Sequence, residues 1–330
     1  MKSLFHNTKR LKEEHKLECV GLDDNSHNPE KGWEIRKETQ NVKILDPEGL
    51  QPISEDKLRI VCTSDTHEKL NTMISRRMIP PGDVLIHTGD LTHEGYLHAL
   101  REFDNELGLL RHRVKLVIAG NHDHCLDRSM IQRYKDEDYI PYLGMVKSDV
   151  QGYVQRQTRL DLKATDVKSI LRNCVYLEDS MVGVCGVKIY GTPWMEKYTK
   201  CVAFSVNRGE ALLKKWNSIP DNVDILMTHT PPLGYGDKTH SGHHVGCVDL
   251  LNTIQRRVQP QYHIYGHIHE GYGIRSDGTT TFINCAACSR HYRPDNLPVV
   301  FDYPIPKRYR KSDQNWVKII KEIGPPPIQV

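Results

Sequence analysis

The chain has 330 residues, 38% of them hydrophobic and 26% charged, with a formal net charge of +3 when the histidines are neutral. That is the composition of a soluble protein able to bury a substantial core, and so small a charge gives no strong signal for nucleic acid or a membrane surface. No apolar run of the length a transmembrane helix needs occurs anywhere.

The opening MKSLFHNTKRLKEEHK lacks the apolar stretch of a secretory leader. The nine cysteines are therefore expected as reduced thiols in a cytoplasmic protein. Residues 1–57 are charged and without apolar periodicity, so they read as an N-terminal arm, draped over a core or partly disordered, with Trp33 as its anchor. From Leu58 the texture changes. Five apolar runs follow in order, LRIVC, DVLIHTGD, VKLVIAGNHD, VDILMTHTPP and HIYGHIH. Each carries β-branched or leucine-type residues and then turns polar or glycine-containing, the pattern of strands buried on both faces.

Helices are predicted between them. EGYLHALREFDNELGLL (94–110) sets Leu97, Leu100, Phe103, Leu107 and Leu110 near a helical period, NRGEALLKKWNSI (207–219) pairs Leu212 with Trp216, and VDLLNTIQRRV (248–258) puts Leu250, Leu251, Ile254 and Val258 on one face. GVKIYGTPW, TTTFINCAA and PVVFDY read as further strands. Strands alternating with helices predict an α/β protein with a partly parallel sheet over residues 58–303, followed by a tail over 304–330.

Acid and imidazole side chains follow every one of the five runs. SDTH supplies Asp65 and His67, HTGD Asp90, GNHD Asn121, His122 and Asp123, THTPP His229, and GHIH His267 and His269. Taken singly these fragments are ordinary: Gly-Asp is common turn chemistry, and a lone histidine after a strand is more often a hydrogen-bonded core residue. Their recurrence at predicted strand ends, where α/β sheets gather ligand sites, is the signal. His267 and His269 share a face only if the backbone is extended, with Cα atoms about 6.5 Å apart. Histidines so spaced can each serve a different ion of a close pair.

Asp65, His67, Asp90, Asn121, His229, His267 and His269 offer oxygen and nitrogen but no thiolate, a set suited to manganese, iron or zinc. Two ions about 3.5–4 Å apart need a bridging carboxylate. Two divalent ions, two aspartates and one hydroxide sum to +1, which matches an anionic phosphodiester. The hydroxide is available because coordination lowers the pKa of water to about 7. His122, beside a ligand that points at the ions, is the candidate to stabilise developing charge or protonate the leaving oxygen.

These five blocks resemble the signature blocks of the calcineurin-like metallophosphoesterases. IYGTPW, LLKKWNSIP, DILMTHTPPLGYGD, VGCVDLLNTIQRRVQP and HEGYGIRSDGTTTFIN further resemble its metallophosphoesterase-domain-containing (brain protein 239-like) subfamily, from about Leu58 to Tyr303. The resemblance implies a four-layer αββα sandwich. It implies one metal on Asp65, His67, Asp90 and His269, a second on Asp90, Asn121, His229 and His267 with Asp90 bridging, and His122 as the catalytic histidine outside the ligand set. It also implies hydrolysis of phosphodiesters, cyclic nucleotides among them, by two divalent or mixed-valence ions, often manganese.

Two departures stand out. The superfamily frequently orients its catalytic histidine with an aspartate three residues after that of the GD block, where GDLTHEG has His93. The same block lacks the arginine of protein serine/threonine phosphatases, which argues against a phosphoprotein substrate. His267 is kept where some members of the subfamily have glycine, which favours a competent catalyst.

The remaining motifs have bland readings. HSGHH (240–244) reads as a solvent loop, with contact of one histidine to phosphate as the alternative, CAAC (285–288) as small apolar packing rather than a zinc or redox pair, and KRYRK (307–311) as a solvated stretch. The expected partner is a small anionic phosphodiester or nucleotide; whether the chain forms a homodimer is left open. Rival functions are a phosphomonoesterase or nuclease on the same metal core, or a nucleotide-binding regulatory protein with little turnover.

Overall fold

Side-chain alternation within the strands decides how this protein is layered. A computed structural model describes residues 19–47, 49, 52–130, 139–140, 145–146, 167–199, 202–312 and 316–320. Its strands are β1 (Lys43–Leu45), β2 (Lys57–Thr63), β3 (Val84–Thr88), β4 (Val114–Ile118), β5 (Tyr139–Ile140), β6 (Met145–Val146), β7 (Val175–Tyr176), β8 (Ser180–Val184) and β9 (Val187–Thr192). There follow β10 (Met195–Glu196), β11 (Ser205–Val206), β12 (Ile225–Thr228), β13 (Tyr262–Tyr265), β14 (Gly273–Ser276), β15 (Thr281–Asn284), β16 (Val299–Pro304) and β17 (Val317–Ile320). The helices are α1 (Pro29–Arg36), α2 (Leu70–Ser75), α3 (Leu97–Leu109), α4 (Glu210–Asn217) and α5 (Val248–Thr253).

One sheet runs β16-β2-β3-β4-β7, parallel except for β16. The other runs β1-β14-β15-β13-β12-β9-β8-β17, with a parallel centre of β15, β13, β12 and β9 and antiparallel flanks. Successive residues of a strand point to opposite faces. Leu58, Ile60 and Cys62 of β2 thus pack with Ile225 and Met227 of β12 between the sheets. Val61 and Leu85, one residue out of phase, instead meet Leu97, Leu100, Phe103 and Leu107 of α3. On the far side, Leu226 joins Leu212 and Trp216 of α4 and Leu250 and Leu251 of α5. Three apolar interfaces separate four layers, the αββα sandwich that the resemblance implied.

The predicted helix 94–110 is trimmed to α3, because Gly95 takes φ +72 just before it. The predicted 248–258 helix is α-helical only to Thr253 and continues as a π-helical turn over Ile254–Val258, with Ile254 and Val258 still buried. Four strands of the eight-stranded sheet, β1, β8, β14 and β17, have no counterpart among the predicted runs. Two of them tie in the chain's outer segments. The arm is docked along residues 19–45: Asn28 caps α1, Trp33 packs in the outer core cluster, Asn252 donates to Asp23 at 2.8 Å, and β1 pairs with β14. Residues 1–18 lie outside the described residues. The segment expected as a tail contributes β17 to the sheet edge and buries Trp316 between the sheets. Lys311 of KRYRK is buried against Asp83 at 2.6 Å rather than solvated. No helix among the described residues is long and apolar enough to cross a membrane.

Candidate metal centre

Parallel strands end together, and this brings the five blocks to one place. β2, β3 and β4 run in register on one sheet, and β12 and β13 on the other. At their carboxyl ends the sheets join: Ser64 bridges Ala286, and the Ala287 N–H donates to the Ser64 carbonyl at 2.8 Å. The loops then turn back sharply. Asp65, His67, Asp90 and His267 take φ of 50, 42, 54 and 67. Left-handed backbone costs a non-glycine residue about 1–3 kcal/mol, and such cost gathers where function requires it. His267 and His269 are therefore not on an extended segment, as their spacing alone suggested. His267 is left-handed, and His269 opens a 3-10 turn.

Among the described residues Asp65 gathers with His67 and His269 and again with Asp90 and His229, His67 also gathers with His93 and His122, and Asp90 lies between His67 and His229; two donor sets that share Asp90 can be drawn from these. In the first, His269 Nε2 lies 3.4 Å from Asp65 Oδ1 and 3.3 Å from His67 Nε2, while His67 Nε2 is 3.6 Å from Asp90 Oδ2. In the second, His229 Nε2 lies 2.9 Å from Asn121 Oδ1 and 3.5 Å from Asp90 Oδ1. His267 stands beside the second set, its ring 5.1 Å from that of His229, and its peptide N–H donates to both oxygens of Asp65 at 3.0 Å. Space around the carboxylates is minimal. A Cβ on Gly120 would sit 2.2 Å from Asp90 Oδ1, and one on Gly266 1.9 Å from Asp65 Oδ2.

These residues fit cations. His229 Nδ1 donates to the Thr88 carbonyl (2.9 Å) and His269 Nδ1 to that of Ser289 (3.1 Å), so each turns Nε2 toward carboxylate or amide oxygens. Acceptors that converge this closely need positive charge between them. Burial works against a charged His269, but the hydrogen bond and charge of Asp65 prevail and push it up to about 9. Burial likewise opposes a charged His229, yet Asp90 and Asp65 hold it above the usual range. Burial would raise Asp65, but His269, His229 and His67 hold its carboxyl far below the usual carboxylate range. Burial keeps His67 and His267 neutral, and neighbouring histidines reinforce this. A cation would compete with protons at His269 and His229, while burial favours the neutral, ligand-competent form of His67 and His267.

His122 is fixed by a group that sequence reasoning did not foresee. Its Nδ1 donates to the backbone carbonyl of His93 at 2.6 Å, and the two rings stack with centroids 5.6 Å apart. A peptide carbonyl thus does the orienting where the family often uses an aspartate, so no side-chain pattern could reveal it. His122 also donates its own peptide N–H to Asp90 Oδ1 at 2.9 Å. Asp123, next in the chain, is a fully buried clamp. It accepts from the Gly120, Leu91 and Thr92 peptides at 2.8, 3.2 and 3.0 Å and from the Thr92 hydroxyl at 2.8 Å, which ties the GNHD loop to the GD loop. Burial and the charge of Asp90 push its carboxyl up to about 6.

Above these groups lies a cavity of about 220 Å³, lined by Asp90, Asn121, His122, His267 and His269 and also by Tyr198, Glu270, Arg290 and Tyr292. The last four escaped the sequence reading. Only Glu270, directly after GHIH, lay beside a recognised block. Of the HSGHH loop, His240 is exposed and lies 3.6 Å from Glu270, while His244 pairs with Asp237 at 2.8 Å. The CAAC cysteines are buried, with Cys285 and Cys288 directed at the Tyr265 and Thr66 carbonyls. All eight cysteines described are free thiols.

Comparison with known proteins points to phosphoesterases. The sequence model described as calcineurin-like phosphoesterase matches residues 58–271. Human metallophosphoesterase domain-containing protein 1 is 40% identical over 302 residues, covering 89% of this chain and 88% of its own. The UPF0046 protein T07D4.2 of Caenorhabditis elegans is 38% identical over 305 residues, covering 92% of this chain and 74% of its own.

Proposed function

The chain belongs to the calcineurin-like phosphoesterase family, and from that premise we propose that it hydrolyses phosphodiester bonds in nucleotide-like molecules, cyclic nucleotides among them. The family's dinuclear centre makes it a phosphoesterase. The donor sets Asp65, His67, Asp90, His269 and Asp90, Asn121, His229, His267 would hold the two ions. Manganese, iron or zinc suits a ligand set of carboxylate, amide and imidazole without sulfur. When bound, such a pair would supply positive charge for the phosphate and lower the pKa of water.

The observation that carries this reading is the division of one carboxylate. Asp90 directs Oδ2 at His67 and Oδ1 at His229, so a single side chain belongs to both sets. Two divalent ions against Asp65 and Asp90, with one acidified water, leave about one net positive charge. Over the rest of the cavity wall the formal charges of Arg290 and Glu270 cancel. One positive charge matches a monoanionic diester better than a dianionic monoester. His122 lines the cavity with Nδ1 held by the His93 carbonyl, and it is the residue we assign to protonating the leaving oxygen.

The test is metal-dependent turnover of bis-p-nitrophenyl phosphate against p-nitrophenyl phosphate on manganese-loaded protein. Diester preference supports the proposal. Monoester preference refutes it in favour of a phosphomonoesterase, and nucleotide binding with no turnover of either ester favours a regulatory protein.

A further inference from the structure

Among the described residues, two aromatic side chains stand as large exposed apolar groups, Tyr198 at 55% and Tyr292 at 37% exposure. Both line the metal cavity. Each belongs to one donor set. Tyr198 accepts a hydrogen bond from Asn121 Nδ2 at 3.3 Å, and its ring lies 6.0 Å from that of His267. Tyr292 stands perpendicular to the rings of His67, His93 and His269, with centroids 4.8, 4.7 and 5.8 Å away. A phosphate that reaches both sets must project its organic groups past these rings.

The placement of Tyr292 is costly. Its φ of 55 is an outlier for so bulky a residue. The conformation is held by its N–H on the Ser289 carbonyl at 2.9 Å, the same carbonyl that accepts from His269 Nδ1 at 3.1 Å. One backbone oxygen therefore locks the tyrosine to a candidate ligand. Rings held half in water at the mouth of an anion site offer flat faces to a planar heterocycle, and every nucleobase has a face to stack on an aromatic side chain.

We infer that Tyr198 and Tyr292 are specificity-determining residues that receive the base of a nucleotide whose phosphate lies on the donor sets, an inference that rests on the nucleotide reading above. Neither inorganic phosphate nor a sugar phosphate gains from these walls.

The test compares affinities of manganese-loaded protein for uridine 5′-monophosphate and ribose 5-phosphate by calorimetry, with metal content measured on every variant. The nucleotide should bind at least about fivefold more tightly, the low end of one base stacked on one aromatic ring. In Tyr198→Leu/Tyr292→Leu that ratio falls to near one. In Tyr198→Phe/Tyr292→Phe, which keeps the rings and removes the hydroxyl on Asn121, it stays within about twofold of the parent value. A ratio near one in the unaltered protein, or an undiminished ratio in the leucine variant, overturns the inference. The unaltered protein decides the matter even if the leucine variant does not fold. Monoester preference in turnover would instead refute the proposed function and leave this affinity ratio standing.

Discussion

Gly266→Ala is the smallest change that addresses the proposed centre. The added methyl would lie 1.9 Å from Asp65 Oδ2 and 2.3 Å from Ser64 Oγ. Real Cβ contacts do not fall below 3.0 Å, so something must retreat by about 1 Å. If Asp65 retreats, it leaves His269 and loses the peptide N–H of His267. If the loop retreats, it strains the Gly266 N–H bond to the His229 carbonyl, 3.1 Å long, and carries His267 and His269 away. Either way the first donor set opens. Overpacking of this kind costs about 1–3 kcal/mol of stability, and a 1 Å misplacement of catalytic groups can cost about 100-fold in rate. The variant is therefore expected to fold, with melting temperature and far-ultraviolet dichroism close to the parent, but to retain less than half of the bound manganese and about 1% or less of the diester turnover. Metal analysis of the dialysed protein and initial rates on bis-p-nitrophenyl phosphate measure both. Normal metal content together with normal turnover would show that Asp65 is not held where the geometry puts it, and the proposed centre would be wrong.

Other outcomes follow from the same geometry. Asp90→Ala should release both ions, whereas His122→Ala should keep them and lose rate by about 10²–10⁴-fold; His122→Ala protein that has shed its metal would assign His122 to the ligands instead. Asp123→Asn should destabilise the fold by about 1–3 kcal/mol in chemical denaturation, because an amide donor is forced among the four donors this carboxylate now accepts; an unchanged midpoint would mean the clamp contributes nothing. His263, buried against Thr228 at 2.8 Å, is held down to about 3 by burial, below the value near 6.5 of an unfolded chain. The unfolded state then takes up the proton first, so stability attributable to His263 falls as pH drops below about 6.5, by about 2 kcal/mol between pH 7 and 5. His263→Gln should be less acid-sensitive than the parent by that amount in urea titrations at the two pH values, and equal sensitivity would contradict a neutral buried imidazole.

Much of the fold was legible because strands buried on both faces announce themselves as continuous apolar runs, and all eight predicted runs correspond to strands. Of the strands without such a run, β1 is exposed along its length and β14 is only half-buried, whereas β8 is buried from Met181 onward and its apolar run is interrupted by Gly183. The arm and the segment beyond Tyr303 looked detachable because few of their residues are apolar. Trp33 and Trp316 nevertheless carry them into the apolar clusters. The cavity wall was the least legible part. Tyr198, Arg290 and Tyr292 come from loops with no periodicity, and Tyr292 reaches His67 from 225 positions further along the chain.

By itself the order of residues determined which side chains are candidates for the chemistry, since carboxylate, amide and imidazole ligands must be written into the polymer and cannot be made by folding. It also determined the layering, because period-two alternation assigns Leu58 and Val61 to opposite faces before any contact forms. Only the tertiary structure decided the distances between those candidate ligands, that a His93 peptide carbonyl holds His122, and that two tyrosines flank the cavity. These depend on distances across two sheets and on left-handed turns at Asp65, Asp90 and His267. Local sequence preference disfavours such turns, and packing of the whole molecule imposes them.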